Sequence, residues 1–360
     1  MNSKLLYQWE GEIASHLPSL NKWQQRNMAM FSQGVVEAQS CVERQIAAHV
    51  TNSGEEKSME RRLQRFIAND KRAVQTWMEE WTRWIMSALE RQACVLLVDE
   101  SKLGNHLSVM MVGLAYEGRC IPLAWRCYQA TPNEGQVEVI LALLRCVEAG
   151  LPVGCIPLVQ ADRGIGNSPA LMRGIVRLGW RFLFRVTKMS KLVTQNGQTY
   201  TIYDMVERGE VWQQSGTIYK KRGHIPVHAR VVWHTDFAQP WALVTNDPSL
   251  TGSEYAWRYW QEQAFRDLKS RGWQWQRSAV WVPEHATRLL MLLALAYAWI
   301  LALGTYFIHA GQATPLRLEK HGLLRRRLSV FQEGLLRRRL LTMPDPVCLK
   351  LFFASDKRLC

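Results

Sequence analysis

The chain has 360 residues, which suggests two or three domains and leaves ample length for a buried core. Hydrophobic residues make up 48% and charged residues 21%, a globular composition that excludes disorder along most of the chain. The net charge is +14, of which residues 254–360 carry +9, whereas residues 1–90 are neutral overall. This excess favours a polyanionic partner such as nucleic acid, and the alternative is a basic protein kept in solution by repulsion.

Two features bear on the compartment. None of the eight cysteines belongs to a Cys-x2-Cys pair, so the sequence predicts reduced core thiols rather than a disulfide framework or a zinc site. The first ten residues lack a secretory apolar core, which predicts a cytoplasmic protein.

Residues 289–308 carry no formal charge and are long enough to cross a membrane. A helix buried on all sides gives the same pattern, and we favour that interpretation, with no membrane as partner.

Residues 1–90 are predicted to be helical. Apolar residues recur with helical spacing over 59–90, after a loop at 51–56. Basic residues here, such as Arg61 and Arg65, either face DNA or form a solvated surface balanced by nearby glutamates, and charge alone favours the solvated surface.

From residue 91 the pattern changes to short apolar runs that predict a mixed α/β sheet. Because the first three strands connect by hairpins, the order differs from that of a doubly wound fold. The predicted strands are 93–99, 107–114, 119–125, 155–161 and 180–186, and the predicted helices are 135–150 and 167–178.

Residues 187–253 read as an all-β insertion. An Asn196-Gly197 turn separates two β-rich arms, and further strands are predicted at 227–233 and 241–245. A long helix at about 253–271 and the apolar helix follow, and then a basic tail. Its sequence Gly-Leu-Leu-Arg-Arg-Arg-Leu occurs twice, at 322–328 and 334–340. The arginine triplets either contact phosphates or are solvated while the leucines pack.

Asp99 and Asp162 each end a predicted apolar strand. If those strands are neighbours, the two carboxylates converge, and carboxylate oxygens are ligands that magnesium prefers. The alternative for a lone aspartate at a strand end is a turn former or a helix cap, which Gly164 allows for Asp162.

The helix at 253–271 supplies a third acid. At 3.6 residues per turn, Tyr255, Arg258, Glu262 and Lys269 fall within one sector of about 60°. An acid flanked by two cations and a phenol suits a metal ligand beside groups that hold phosphates. The alternative is a solvated ridge stabilised by the Arg258–Glu262 ion pair. The opposite side forms a core-facing stripe of Trp257, Trp260, Ala264, Phe265 and Leu268.

The pattern Tyr-x2-Arg-x3-Glu-x6-Lys resembles the catalytic-helix signature of the insertion-sequence-four family of DDE transposases. Asp99 and the Asp162-Arg163-Gly164 turn resemble the first and second acidic motifs of that family. The resemblance covers about residues 91–340 and implies an RNase H-like mixed sheet with an all-β insertion and a helical N-terminal region. The implied regions are a helical DNA-end-binding region (1–90), the first part of the catalytic core (91–186), the insertion (187–253), the second part of the core with the Glu helix (254–310) and a basic C-terminal region (311–360).

The resemblance also implies a function and its cofactors. Such a protein binds the terminal inverted repeats of an insertion sequence, cleaves the strands and transfers them to target DNA. Asp99, Asp162 and Glu262 would be the catalytic residues and would hold two Mg²⁺ ions, for which Mn²⁺ substitutes. Tyr255, Arg258, Lys269 and Arg163 would contact the DNA backbone.

The implied partners are double-stranded DNA and a second copy in a homodimeric synaptic complex, in the bacterial cytoplasm and at the nucleoid when bound to DNA. Trp233 in the insertion is a candidate for stacking on a flipped base. No phosphate-binding loop is present, so no nucleotide cofactor is expected. Three alternatives remain: another RNase H-like DNA nuclease such as a resolvase, a catalytically silent DNA-binding descendant of a transposase, and a single-span membrane protein.

Overall fold

A ten-stranded mixed sheet flanked by helices forms the protein, as the computed structural model describes it for residues 3–50, 55–70, 74–89, 94–129, 135–219, 223–318 and 324–338. The helices are α1 (Ser3–His16), α2 (Lys22–Ala38), α3 (Glu43–Val50), α4 (Glu56–Ile67), α5 (Val74–Ala88), α6 (Gln136–Glu148), α7 (Arg163–Gly166), α8 (Pro169–Arg177), α9 (Tyr259–Arg266), α10 (Pro283–His309) and α11 (Val330–Arg337). The strands are β1 (Val95–Leu103), β2 (Leu107–Tyr116), β3 (Arg119–Gln129), β4 (Leu158–Ala161), β5 (Arg181–Arg185), β6 (Lys191–Val193), β7 (Thr199–Thr201), β8 (Val211–Ile218), β9 (Ile225–Val232), β10 (Trp241–Thr245), β11 (Leu316–Leu318) and β12 (Leu324–Arg326).

The large sheet has the strand order β3-β2-β1-β4-β5-β10-β9-β8-β6-β7. Strands β1, β4 and β5 run parallel, and the other neighbouring pairs are antiparallel. The predicted α/β class with its initial meander is confirmed. The strands of 187–253 do not form a sheet of their own, because β10 pairs with β5 and extends the same sheet.

The centre of the sheet is covered on both faces. Every residue of β2 is buried, which a strand reaches only when neither face meets water. Helix α6 packs against β2 and β3, and α9 packs against β1, β2 and β3. Helices therefore cover the sheet at its meander.

The N-terminal helices are joined to this core by α10. The predicted helical stretch 59–90 is two helices, α4 and α5, because Asn69 and Asp70 favour non-helical backbone after α4. Helix α10 packs against β3, α2, α4 and α11. It is the one helix of the described residues long and apolar enough to cross a membrane, and 89% of its most apolar 18-residue window is buried. That burial agrees with the predicted core helix of a soluble protein.

The two copies of the tail repeat adopt different structures. Part of the first copy lies in β12, and the second begins inside α11. Gly334 and Gly304 let α11 approach α10 closely, since a Cβ on Gly334 would overlap the carbonyl oxygen of Ile300 and one on Gly304 that of Val330. Residues 322–323 of the first copy and residues 339–360, which include the end of the second copy, lie outside the described part of the chain.

Candidate functional site

Three charged residues form a row across the parallel strands. Val98 of β1 is in register with Ala161 of β4, and Ala161 with Phe184 of β5. The next residues are Asp99, Asp162 and Arg185, and successive residues of a strand alternate between faces, so these three share one face of the sheet. Convergence of the two aspartates therefore follows from the register.

The prediction that Asp99 ends its strand is wrong. Strand β1 continues to Leu103, because its antiparallel partner β2 keeps pairing with it as far as Leu107. Strand β4 stops at Ala161, so Asp99 lies where β1 loses its parallel neighbour. The Asp99 carboxylate therefore lies just beyond the last parallel pair of β1 and β4, although Asp99 itself is inside β1.

Asp162 caps a helix. Its Oδ1 atom accepts hydrogen bonds from the backbone N–H groups of Gly164, at 2.9 Å, and Ile165, at 3.1 Å. These bonds orient the carboxylate at the start of α7. Both fall on one oxygen, and among the described residues no hydrogen bond is made to Oδ2. Capping the helix therefore uses Oδ1 and leaves Oδ2 of Asp162 able to bind another group.

Arg258 forms hydrogen bonds with both Glu262 and Asp99 and so connects the two acids. The guanidinium donates from Nη1 to Oδ2 of Asp99, at 3.1 Å, and from Nη2 to Oε1 of Glu262. The Arg258 and Asp99 side chains are only 15% and 16% exposed, so Arg258 does not lie on a solvated ridge, whereas the Glu262 side chain is 37% exposed. One cation thus joins two acids that come from a strand and a helix.

Two buried amides fix the Glu helix on the sheet. Gln160 of β4 donates from Nε2 to the carbonyl oxygen of Glu254, at 2.9 Å, and lies on the same face as Asp162. Gln261 donates from Nε2 to the carbonyl oxygen of Met111 on β2, at 3.0 Å. These two hydrogen bonds therefore attach the segment that carries Arg258 and Glu262 to strands β4 and β2.

The predicted long helix at 253–271 is one helical segment with three windings. Residues 253–258 are a 3₁₀-helix, α9 follows, and Asp267–Arg271 is a π-helix. Of the predicted core stripe, Ala264, Phe265 and Leu268 are buried, whereas Trp257 and Trp260 stack on each other and stay partly exposed.

A cavity of about 570 Å³ opens beside Asp162 and Glu262, whereas Asp99 is not among the residues that line it. Tyr255 forms part of its wall; it is 4% exposed and packs edge-on against Trp241, with ring centroids 5.3 Å apart. Burial raises the pKa of Tyr255, so the phenol stays protonated. The lining residues are Asp162, Arg163, Arg185, Phe237, Gln239, Trp241, Tyr255, Ala256, Arg258, Tyr259 and Glu262.

Lys269 lies apart from that cavity. Its Nζ donates to the carbonyl oxygen of Lys102, three residues beyond Asp99 on β1, and lies 6.0 Å from the Phe265 ring. Burial lowers the pKa of Lys269, and the charge of Asp99 opposes that shift. The structure therefore brings Tyr255, Arg258, Glu262, Asp162 and Arg163 to one cavity, whereas Lys269 sits along β1. Trp233 is not part of the lining; its Nε1 donates to the carbonyl oxygen of Phe237.

The acids influence one another electrostatically. Burial, opposed by Arg258 and reinforced by the charge of Asp162, raises the pKa of Asp99 to about 6. Burial works against the charged form of Arg258, but Asp99, Tyr255, Glu262 and Asp162 outweigh it and raise the pKa of the guanidinium. Asp99, Glu262 and Asp162 therefore all act on the guanidinium of Arg258, while Arg163 and Arg185 line the same cavity as Asp162 and Glu262.

The donor set fits a divalent cation. Three carboxylates present hard oxygen atoms, which Mg²⁺ and Mn²⁺ prefer, and burial is the main cause of the raised pKa of Asp99. Within the described ranges, no three acidic, imidazole or thiol groups are already drawn together as a ligand set. The acids are arranged around the Arg258 fork instead, so metal ligation requires that guanidinium to turn aside.

Comparison of the sequence with models of known protein families and with curated proteins gave no match.

Sequence reasoning missed two groups of residues. Arg185 continues the row of Asp99 and Asp162, and the rule that strand ends converge, applied to the strand predicted at 180–186, would have found it. Asp267 is 2% exposed and pairs with Nε of Arg119 at 2.5 Å, while the Tyr297 hydroxyl donates to it at 3.2 Å. No local signal distinguishes this aspartate from a solvated one.

Proposed function

We propose that the protein is a DDE transposase that cleaves the ends of an insertion sequence and joins them to target DNA. The observation that carries the proposal is the Arg258 fork, which holds Asp99 and Glu262 together beside Asp162. Acids from two strands and a helix converge there from distant parts of the chain.

The topology supports an RNase H-like fold. The first five strands have the order β3-β2-β1-β4-β5, with an antiparallel meander followed by two parallel strands. That order places the first acid on β1 and the second directly after β4. The β-rich residues 187–245 lie between the second acid and the Glu helix, where the resemblance to insertion-sequence-four transposases requires an insertion.

The chemistry proposed is in-line phosphoryl transfer. Two divalent ions, when bound, supply Lewis-acid charge that activates the attacking oxygen and stabilises the leaving one. Asp99, Asp162 and Glu262 hold those ions. Arg163 and Arg185 border the cavity, where a fork of N–H donors binds a DNA phosphate in a fixed orientation.

Arg258 has a second part to play. Guanidinium forks bind phosphate as readily as carboxylate, so an entering DNA phosphate competes with Asp99 and Glu262 for the same donors. Exchange of partners at Arg258 releases the two carboxylates as the substrate arrives. Tyr255 forms part of the cavity wall and keeps its hydroxyl proton, which suits a hydrogen-bond donor to DNA.

The partners proposed are DNA element ends, target DNA and a second copy of the chain. The net charge of +14, concentrated in the last third of the sequence, supports a polyanionic ligand. The location proposed is the bacterial cytoplasm.

Cleavage of the DNA that flanks the gene for this protein tests the proposal. Purified protein is incubated with Mg²⁺ and a supercoiled plasmid that carries the gene and the DNA on both sides of it. Wild type is expected to cut at short inverted repeats, whereas Asp99→Asn, Asp162→Asn and Glu262→Gln are expected to bind the DNA without cutting. Glu148→Gln, at the exposed end of α6 before β4, is the matched control and should cut like wild type. Binding without cleavage by wild type itself would instead support the silent descendant.

A further inference from the structure

A pair of thiols lies at the opposite end of the strands that carry the aspartates. Cys94 directly precedes β1, and Cys155 lies in the turn before β4; their Sγ atoms are 3.8 Å apart. At about 3.3 Å per residue, the five residues from Cys94 to Asp99 place this pair ~16 Å from the acid cluster along β1. The pair takes no part in the chemistry proposed above.

Cys155 differs from the other described cysteines. It is the one that is partly exposed, whereas Cys41, Cys94, Cys120, Cys127 and Cys146 are buried. Its hydrogen bond with Cys94, opposed by burial and assisted by Arg181, lowers the pKa of the Cys155 thiol to about 7. Burial raises the pKa of Cys41, Cys120, Cys127 and Cys146 instead. A thiolate, not a thiol, reacts with oxidants, so reactivity concentrates at Cys155.

The turn that carries Cys155 lies at the surface. It spans residues 152–155, closes with the Cys155 N–H donating to the carbonyl oxygen of Pro152, and contains Gly154 at φ +81°. Val153 beside it is fully exposed. A disulfide needs an S–S distance of about 2.05 Å, so the two sulfurs must approach by less than about 2 Å. An exposed turn supplies that shift more readily than a strand.

We propose that Cys94 and Cys155 form an oxidisable dithiol site that a hydroperoxide converts to an intramolecular disulfide. The Cys155 thiolate attacks one peroxide oxygen, the O–O bond breaks, and Cys155 becomes a sulfenic acid while hydroxide or alkoxide leaves. The Cys94 sulfur then attacks the Cys155 sulfur, the S–O bond breaks, and water leaves with the Cys94 proton. Two thiols lose two electrons in total, and the peroxide gains them.

The disulfide would tie the N-terminal ends of two neighbouring parallel strands together. Those ends already share a backbone hydrogen bond, since the Leu158 N–H donates to the Cys94 carbonyl oxygen at 2.9 Å. The link therefore adds to existing register rather than opposing it. The inference is independent of the DNA chemistry, and either one can fail while the other stands.

Mass spectrometry of the full-length protein tests the site. Cys348 and Cys360, which lie outside the described residues, are replaced by Ser in the background protein so that they do not contribute. Reduced protein is treated with hydrogen peroxide at pH 7.5 and digested without reductant. The expected result is a loss of about 2 Da and a cross-linked peptide pair containing Cys94 and Cys155. Absence of that peptide pair from oxidised, folded protein would overturn the proposal.

Three variants sharpen the result. Cys155→Ser is expected to abolish the 2 Da loss, and persistence of the loss would contradict the site. Cys94→Ser, which keeps a hydrogen-bond donor beside Cys155, is expected to stop at a sulfenic acid, trapped on Cys155 by a dimedone adduct, and absence of the adduct would contradict the order of steps. Cys41→Ser is the control for a buried cysteine and should form the disulfide as the background protein does.

Discussion

Arg258 donates to Oδ2 of Asp99 at 3.1 Å although 159 residues separate the two in the chain. The same guanidinium reaches Glu262 one helical turn away, so the relationship connects a local ion pair to a long-range one. Most of the physical consequences of this site follow from that fork.

The fork predicts a strict requirement for arginine. A lysine at this position would carry the charge but not two divergent donors, so Arg258→Lys is expected to lose the simultaneous contact with Asp99 and Glu262. Cleavage of flanking DNA should fall by about 100-fold or more, in line with the loss of one preorganised donor group. Arg266→Lys, which changes an exposed arginine on the same helix, is the control. A wild-type cleavage rate for Arg258→Lys would refute this role.

The raised pKa of Asp99 predicts a pH-dependent penalty on folding. Its pKa is about 6 in the folded protein, against about 3.9 in an unfolded chain, so between those values the folded state binds the extra proton. Stability of wild type therefore falls as pH rises through this window, and the penalty is complete above pH 6.

Asp99→Asn removes that penalty. Denaturation without divalent cations at pH 4 and pH 7.5 should find the stability difference between variant and wild type shifting by ~2–3 kcal/mol in favour of the variant at the higher pH. An unchanged difference at the two pH values would show that Asp99 titrates alike in both states.

The buried pair of Arg119 and Asp267 predicts a large stability effect. Removal of one partner leaves the other charge buried without compensation, which costs about 3–5 kcal/mol, and Asp267→Ala is expected to lose that much in urea denaturation. Tyr297→Phe removes one hydrogen bond to the same carboxylate and should lose only ~1 kcal/mol. Equal losses for the two variants would rule out an ion-pair origin.

Close packing of α10 and α11 predicts that their glycines are required. Gly304→Ala and Gly334→Ala each place a methyl group against a backbone carbonyl and should destabilise the protein by ~1–3 kcal/mol. Gly11→Ala in α1 is the matched control, because no heavy atom lies within 4 Å of its added Cβ. That variant should be neutral or gain ~0.5–1 kcal/mol of helix stability. Thermal denaturation of the three variants distinguishes the cases.

Short-range features of the site were predictable from the sequence. The spacing of Arg258 and Glu262 places them on one face of a helix, and apolar runs locate the strands before Asp99 and Asp162. Strand pairing then does the rest, because parallel register carries Asp99 and Asp162 to one row. The strands within residues 187–253 were also recognisable from the sequence. The pairing of β10 with β5 was not, because it depends on β5 having an unpaired edge, which no local pattern encodes.

Long-range features were not predictable. The Asp99–Arg258 contact and the Asp267–Arg119 pair join segments whose relative position only the folded sheet defines. The winding of residues 253–271 changes from 3₁₀ to α to π, so an ideal helical wheel places Lys269 with Glu262 although it contacts the Lys102 carbonyl. Asp99 lies within its strand because β2 pairs with β1 as far as Leu103, whereas β4 pairs with β1 only as far as Val98. The end of β1 therefore depends on three strands together.

We propose that Asp99, Asp162 and Glu262 together hold divalent metal, and Mn²⁺ binding followed by electron paramagnetic resonance tests this metal site without DNA. Wild type and Glu148→Gln are expected to bind Mn²⁺ alike, whereas Asp99→Asn, Asp162→Asn and Glu262→Gln should each bind at least about tenfold more weakly. Wild-type affinity in all three acid variants, with the fold intact, would contradict the account.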